Sequence, residues 1–373
     1  MDEPPGVAAG DVVLLYRELL HREPSREEVA HQQAAAAAWQ DVLMAIVRSD
    51  EYAALVPAAT PAPERVVNIH IPDLAKYGHL PGRRSADEVA EIGSDGFVFL
   101  IGGTNEILSQ HRPGYRFEPG WREQWQQVIA SRRAQAAELG VTYRMVLVPD
   151  KVTVLGERMA EPPPAGVRTP ADELAALDRA MVFPVGRLQD AEGGAYLRTD
   201  THLTLAGNRA LAAGVGDALG IDLARDVGLD GRTNVACGDL GARFSPPVVE
   251  LATVKGDWGR ATVVENSAPE ILARGRHVGI RQVLRTESAR DDRRVLVFGD
   301  SYATASPHYQ GLIWWLAQAF AEVHFLWIPF GWDPDYVSEV DPAIVLSEGA
   351  ERFAARAPDV VTNAQAAIEA VRA

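Results

Sequence analysis

The stretch RRVLVFGDSYATA, residues 293–305, decides the architecture. Val295 to Phe298 form a continuous apolar run, the pattern of a strand buried on both faces in a parallel sheet. The run breaks at Gly299-Asp300-Ser301 and leads toward GLIWWLAQAF (311–320), which reads as a helix. Strand, turn and helix in this order place Ser301 at the carboxyl end of a strand, where open α/β sheets bind ligands. A serine at the start of a helix also gains backbone N–H groups that can stabilise an oxyanion.

Three further segments repeat the apolar run: VTYRMVLVPDK (141–151), EVHFLWIPF (322–330) and DPAIVLSEG (341–349); FVFLI (97–101) is a shorter strand candidate. WREQWQQVIASRRAQAAELG (121–140) is an amphipathic helix that Gly140 would cap. Strands alternating with helices predict an α/β fold, a mostly parallel sheet covered on both faces. Ahead of it, DVVLLYRELLHREP (11–24) reads as a helix stopped by Pro24. Ser25 and Glu28 carry the capping-box spacing for a second, alanine-rich helix that runs toward Leu55. VPAATPAPER (56–65) is a linker and VVNIHIPDL (66–74) an entry run. The expected division is a helical module at 1–58, a linker and entry segment at 59–88, and the α/β domain at 89–373.

At 373 residues, with 47% apolar and 23% charged side chains, the chain has the composition of a soluble globular protein. Its net charge of -15 argues against nucleic acid or anionic lipid as the main partner, since both select basic surfaces. The lone cysteine, Cys237, excludes an intramolecular disulfide and a cysteine-based zinc site. No apolar stretch approaches the roughly 18 residues of a membrane span. The acidic start lacks a signal-peptide pattern, which points to the cytoplasm; the periplasm is the alternative if an export signal has been removed.

Serine is a weak nucleophile without a neighbouring base. AYLRTDTHLTLAGNRAL (195–211) offers one, because residues i and i+2 of an extended loop point to the same side. Asp200 can then hydrogen-bond one nitrogen of His202 and leave the other for Ser301, the logic of a serine–histidine–aspartate triad. The bland alternative is a solvated loop, and the Gly-Asp-Ser turn on a strand end tips the balance toward a triad. His277 and His308 read as ordinary. Asp200, His202 and Asp300 lack a further ligand at metal spacing, so no metal is expected. GVGDALG (214–220) follows a helix rather than a strand and has the wrong spacing for a dinucleotide site.

GFVFLIGGTNE (96–106), MVLVPDKVTVLGE (145–157), YLRTDTHLTLAG (196–207), VLVFGDSYA (295–303) and SEGAERFA (347–354) together resemble the alginate O-acetyltransferases of the AlgX/AlgJ type. The resemblance spans roughly residues 90–360. It implies an SGNH-hydrolase-like three-layer fold in a permuted order, with Ser301 as nucleophile, His202 as base and Asp200 as its orienting partner. Leu203 stands where that family usually has tryptophan. By similarity to SGNH hydrolases, Asn105 in Gly103-Thr104-Asn105-Glu106 is an oxyanion donor or a turn residue. Tyr302 either donates to the oxyanion or packs. Trp332 and Tyr336 either stack on a sugar ring or fill the core, where Trp314 and Trp315 belong. Arg352, with Glu348 and Glu351, either contacts substrate or forms a buried ion pair or helix cap.

The segment from Tyr16 to Pro24, with Ser49 to Tyr52, resembles a phycobilisome-linker-like helical module of bacterial polysaccharide metabolism; the alternative is a helical hairpin with no function of its own. The expected activity is O-acetylation of a polysaccharide or oligosaccharide through an acyl-serine. A carbohydrate or acyl esterase and a catalytically silent glycan-binding assembly protein are the alternatives. Implied partners are a carbohydrate acceptor, an acetyl donor or donor protein, and a polysaccharide-biosynthesis complex reached through the N-terminal module. No bound cofactor is expected. Arg198, Arg281 and Arg285 are the candidates for a basic patch along the acceptor groove.

Overall fold

The computed structural model describes residues 7, 9–20, 22–36, 42, 45–46, 49, 51, 80–103, 105–244 and 247–372. The linker 56–65, the entry run 66–74 and Thr104 lie outside the described residues, as does most of the alanine-rich segment beyond Ala36. The described residues fall into two compact units, one N-terminal and one carrying the sheet. In the first, helix Ala9–Leu20 precedes helix Arg26–Ala35. Ser25 Oγ accepts from Glu28 N at 3.1 Å, and Glu28 Oε2 accepts from Ser25 N at 2.7 Å, closing the expected capping box. The second helix is shorter than its alanine content suggests, because Ala36 is already extended. Arg22 joins Glu28 at 2.6 Å and Glu51 at 2.5 Å, so the two ends of the module-like pattern meet in one ion-pair network.

The larger unit opens with β1 (Ala90–Ile92) and β2 (Val98–Leu100), which pair antiparallel. The main sheet draws on β3 (Thr142–Val148), β6 (Thr262–Asn266), β7 (Arg281–Arg285), β8 (Asp291–Gly299), β11 (Phe320–Trp327) and β12 (Ile344–Ala350). Its order is β3-β12-β8-β11-β7-β6, with β3, β12, β8 and β11 parallel and β7 antiparallel to its neighbours. Two small antiparallel pairs complete the strands: β4 (Arg232–Ala236) with β5 (Glu250–Val254), and β9 (Ala305–Ser306) with β10 (Tyr309–Gln310). The FVFLI segment therefore lies outside the parallel sheet. Val98 N donates to Arg198 O at 2.7 Å, so β2 runs beside the loop that carries Asp200 and His202.

The buried alternation of the central strands explains the three layers. Val295 and Val297 of β8 face one apolar cluster with helix Leu205–Leu219 and helix Leu312–Ala317; Leu296 and Phe298 face the other, with helix Trp121–Glu138 and helix Pro334–Val340. Gly140 adopts φ +70° just past the helix that ends at Glu138, as its capping role requires. Among the described residues no helix is long and apolar enough to cross a membrane.

The histidine loop is seated by the helix that follows it. Thr204 Oγ1 accepts from Gly207 N at 3.0 Å as N-cap and donates to Gly194 O at 2.6 Å. A side chain at Gly207 would drive its Cβ into the Ala195 carbonyl. Gly207→Ala should therefore lower unfolding stability by about 1–3 kcal/mol, the range for forced overpacking. Urea unfolding followed by tryptophan fluorescence checks this.

Candidate active site

Parallel pairing of β8 between β12 and β11 brings Gly299 to the carboxyl edge of the sheet, in register with Trp327. The turn beyond it is built on buried carboxyl groups. Glu348 Oε2 accepts from Asp300 N at 2.8 Å; Asp300 Oδ1 accepts from Tyr302 N at 2.9 Å and Oδ2 from Ala350 N at 2.8 Å. Only glycine fits at 299, since a Cβ there would collide with Glu348 Oε2. Ala303 N donates to Asp300 O at 3.1 Å. Of four consecutive N–H groups from residue 300, the Ser301 N–H alone has no acceptor among the described residues.

Ser301 is not at a helix start, contrary to expectation. The β9–β10 hairpin intervenes, and the helix begins only at Leu312. Its cause is Gln282 of β7, which is buried and holds the backbone of Ala305 from both sides: Gln282 Oε1 accepts from Ala305 N at 3.1 Å and Nε2 donates to Ala305 O at 2.8 Å. The hairpin turns Tyr309 toward His202, with ring centroids 5.2 Å apart.

Asp200 and His202 form the expected pair. Asp200 Oδ1 accepts from His202 N at 2.9 Å and lies 2.5 Å from His202 Nδ1, which fixes a proton on Nδ1 and leaves Nε2 unprotonated in the neutral ring. Burial alone would push the Asp200 carboxyl up, but His202, with Lys151 beyond, holds it well below the usual carboxylate range. Burial pulls the imidazole down, and Asp200 more than offsets this, so His202 titrates above its ordinary 6.5. Lys151 is itself buried against Val98 O at 2.8 Å and Arg198 O at 3.2 Å, and desolvation lowers its ammonium to about 8.

The two loops meet at Tyr302. Its Oη donates to Thr201 O at 2.8 Å, and its ring centroid lies 5.2 Å from that of His202. No hydrogen bond joins Ser301 Oγ to the imidazole; such bonds commonly tighten only in the substrate complex. Since Tyr302 N and Oη are both committed, Tyr302 is a link between loops and not an oxyanion donor.

Several other expectations are corrected by burial. Trp332 is fully buried and donates to Gln135 Oε1 at 2.6 Å; Tyr336 packs on Phe298 with centroids 6.0 Å apart. Both are core residues of the face opposite helix Leu205–Leu219, so neither ring is placed to stack on a sugar. Arg352 is clamped by Asp150 through its backbone N at 2.8 Å and Nη1 at 2.5 Å, and its guanidinium lies 5.6 Å from the Tyr302 ring centroid. It braces Tyr302 as a buried ion pair. Asn105 O accepts from Gln110 Nε2 at 2.8 Å, and the same nitrogen reaches Arg352 O at 3.0 Å. Among the described residues nothing bonds Asn105 to Ser301 or His202. Leu203 is 1% exposed and bridges Tyr196, so this position is one of packing.

The proposed basic patch does not assemble. Arg281 pairs with Glu265 at 3.3 Å, while Arg285 pairs with Glu322 at 2.6 Å at the other end of β7. Asp300 serves the serine turn and is not part of a cluster with Asp200 and His202. The carboxylate that does join them is Asp239, which the sequence reading missed. One donor-type atom from each of Asp200, His202 and Asp239 lies within 4.8 Å of the others. Cys237, two residues away, is desolvated and pushed up to about 12, so it stays a neutral thiol.

Behind the serine turn two buried glutamates hold their protons. Burial, with Asp300 alongside, raises Glu348 well above the carboxylate range, and burial with Asp150 nearby raises Glu351 to about 8. An unfolded carboxyl ionises near 4.5, so between about 4.5 and 8 the folded state holds an extra proton on Glu351. That contribution to stability is full below 4.5 and is lost as pH rises toward 8. Glu351→Gln, which keeps an acceptor for Asp150 N, should flatten this decline in urea unfolding measured across that pH range.

Residues 105–236 match the family model described as an SGNH hydrolase-like domain, acetyltransferase AlgX. No curated protein matches the chain significantly in sequence. Among solved structures, the O-acetyltransferase domain of Pseudomonas putida AlgJ is similar at 19% identity and TM-score 0.46, covering 76% of this chain and 98% of that one. A DHHW family protein from Eubacterium siraeum is similar at 14% identity and TM-score 0.47, with 76% and 95% covered. Pseudomonas aeruginosa AlgX follows at 15% identity and TM-score 0.41, with 76% and 65% covered. The segment that matches this SGNH hydrolase-like family model, residues 105–236, includes Asp200 and His202 but ends before Ser301.

Proposed function

We propose that this protein is an O-acetyltransferase that moves acetyl from a donor to a hydroxyl of a polysaccharide or oligosaccharide through an acetyl-Ser301 intermediate. The observation that carries the reading is the Asp200–His202 pair, held at 2.5 Å and tied through Tyr302 to the turn bearing Ser301, within an AlgX-type chain. His202 Nε2 takes the Ser301 hydroxyl proton while Oγ forms a bond to the donor carbonyl carbon. The Ser301 N–H receives the oxyanion, and the donor's leaving group departs with the proton from His202. In the second half His202 deprotonates the acceptor hydroxyl, its oxygen attacks the acetyl carbon, and Ser301 Oγ leaves with that proton. These steps need no bound cofactor.

With a net charge of -15 and Arg281 and Arg285 each already paired, a neutral or weakly acidic glycan suits the protein better than a polyuronate. Esterase action would use the same residues with water in place of the sugar.

Ser301→Ala should abolish p-nitrophenol release from p-nitrophenyl acetyl ester and remove the one-acetyl mass gain of the protein, with the fold retained. Asp200→Asn should lower turnover by about 10⁴, because the imidazole loses its tautomer-fixing acceptor. Since His202 must be neutral to act and titrates above 6.5, kcat/KM should fall as pH drops through that raised value. Incubation with an acetyl donor and a panel of neutral and uronic oligosaccharides should yield a glycan one acetyl heavier. Donor hydrolysis at equal rates with and without every glycan would make the protein an esterase. Glycan binding with neither reaction would make it a silent assembly protein.

A further inference from the structure

The connection between β4 and β5 presses on the dyad loop and contributes a second carboxylate that the reaction above does not use. Gly238 permits this approach, because a Cβ at that position would collide with Thr199 O and Asp200 Cβ. Gly238 N donates to Thr199 Oγ1 at 3.1 Å, and Leu240 N and Gly241 N converge on Thr199 O at 3.1 and 2.7 Å. Glu250 of β5 takes up the loop from the other side, accepting from Thr199 N at 2.7 Å and from Arg198 N at 2.9 Å. The loop of Asp200 and His202 is thus clamped from one small hairpin.

At the centre of that clamp Asp239 grips Thr201. Its Oδ1 accepts from Thr201 N at 2.8 Å and its Oδ2 from Thr201 Oγ1 at 2.7 Å, while Asp239 N donates to Asp200 Oδ2 at 3.2 Å. Thr201 O, in turn, accepts from Tyr302 Oη. Thr201 therefore joins two segments: its N–H and hydroxyl are held by Asp239, its carbonyl by Tyr302 beside the nucleophile, and its hydroxyl also lies 3.5 Å from His202 Nδ1.

We infer that Asp239 is a positioning residue, which acts through Thr201 and Asp200 to hold His202 against the Ser301 turn and to stabilise its imidazolium form. The inference rests on the acetyltransfer reading for its kinetic consequence, though the electrostatic part does not. Placing a second carboxylate near Asp200 is unfavourable by itself, since like charges a few ångström apart repel. It becomes favourable when a proton arrives on the imidazole, and His202 is protonated once in each half of the cycle. The charged or titratable groups facing His202 are Asp200 from its own loop, Asp239 from the β4–β5 connection, Tyr302 and Tyr309 from the serine turn and hairpin, and Arg352 from beyond β12. Asp239 raises the His202 pKa and Arg352 opposes it.

Asp239→Asn tests this, with Thr201→Val as the second variant. Histidine-labelled protein followed by NMR should show the His202 imidazole titrating at lower pH in Asp239→Asn. The acid limb of kcat/KM for acetyl-ester turnover should move down with it, and kcat should drop about tenfold or more, the worth of one charge-assisted hydrogen bond. Thr201→Val removes the hydroxyl that Asp239 holds and that lies 3.5 Å from His202 Nδ1, but leaves both carboxylates, so it should lower kcat while moving the titration less than Asp239→Asn does. A folded Asp239→Asn protein whose His202 titrates as in wild type overturns the inference, whatever the activity. A wild-type protein that neither hydrolyses nor transfers acetyl, but whose titration still falls in Asp239→Asn, overturns the acetyltransfer reading and leaves the coupling standing.

Discussion

A single buried tyrosine hydroxyl holds the two halves of this site together. Tyr302 Oη on Thr201 O is a contact across 101 residues of sequence, and it is made in a region from which water is excluded. A buried hydroxyl left without a partner is unfavourable by roughly 1–3 kcal/mol, so the two loops are driven to meet at this point. Around it the neighbours converge. Arg352 braces the ring, the imidazole of His202 packs on it, and the turn that begins at Gly299 places Ser301 one residue away.

The protein sorts its carboxyl groups by environment. Asp200 is kept ionised by the imidazole and the buried ammonium of Lys151. Glu348 and Glu351 are fully buried, and desolvation with a neighbouring carboxylate, Asp300 for the first and Asp150 for the second, raises both; for Glu348 this outweighs the opposing pull of Arg352. Neutral acids there serve as hydrogen-bond scaffolding for the backbone of the serine turn and of Asp150. Beside these neutral groups the Asp150–Arg352 ion pair carries the buried charge that braces Tyr302.

Much of the fold was legible in local pattern. The four apolar runs at β3, β8, β11 and β12 are strands because continuous Val, Leu and Phe suit a sheet covered on both sides, and all four lie side by side and parallel. FVFLI was legible as a strand but not as an outlier from the sheet. Its partner β1 is a three-residue strand whose pattern is too short to announce itself. The helix expected at Ser301 failed for a comparable reason: the Gln282 amide, distant in sequence, supplies strand-like partners to Ala305 and delays the helix to Leu312.

The sequence by itself determined the strands, the Gly-Asp-Ser turn at a strand end and the Asp200–His202 pair, because each depends on residues two to eight positions apart. Tertiary structure alone decided which aromatics are available to a ligand. Trp332 and Tyr336 follow a strand as sugar-stacking residues would, yet the helix Pro334–Val340 turns them into the core. It also decided that Asp239 belongs to the site. Nothing in Cys237-Gly238-Asp239 distinguishes that carboxylate from a surface residue until Gly238 lets its loop settle against Thr199 and Asp200, 38 residues from the Thr201 it grips. Local hydrophobic pattern and turn chemistry act along the chain, whereas hydrogen bonds between distant loops are fixed only when the folded core brings their backbones within 3 Å of each other.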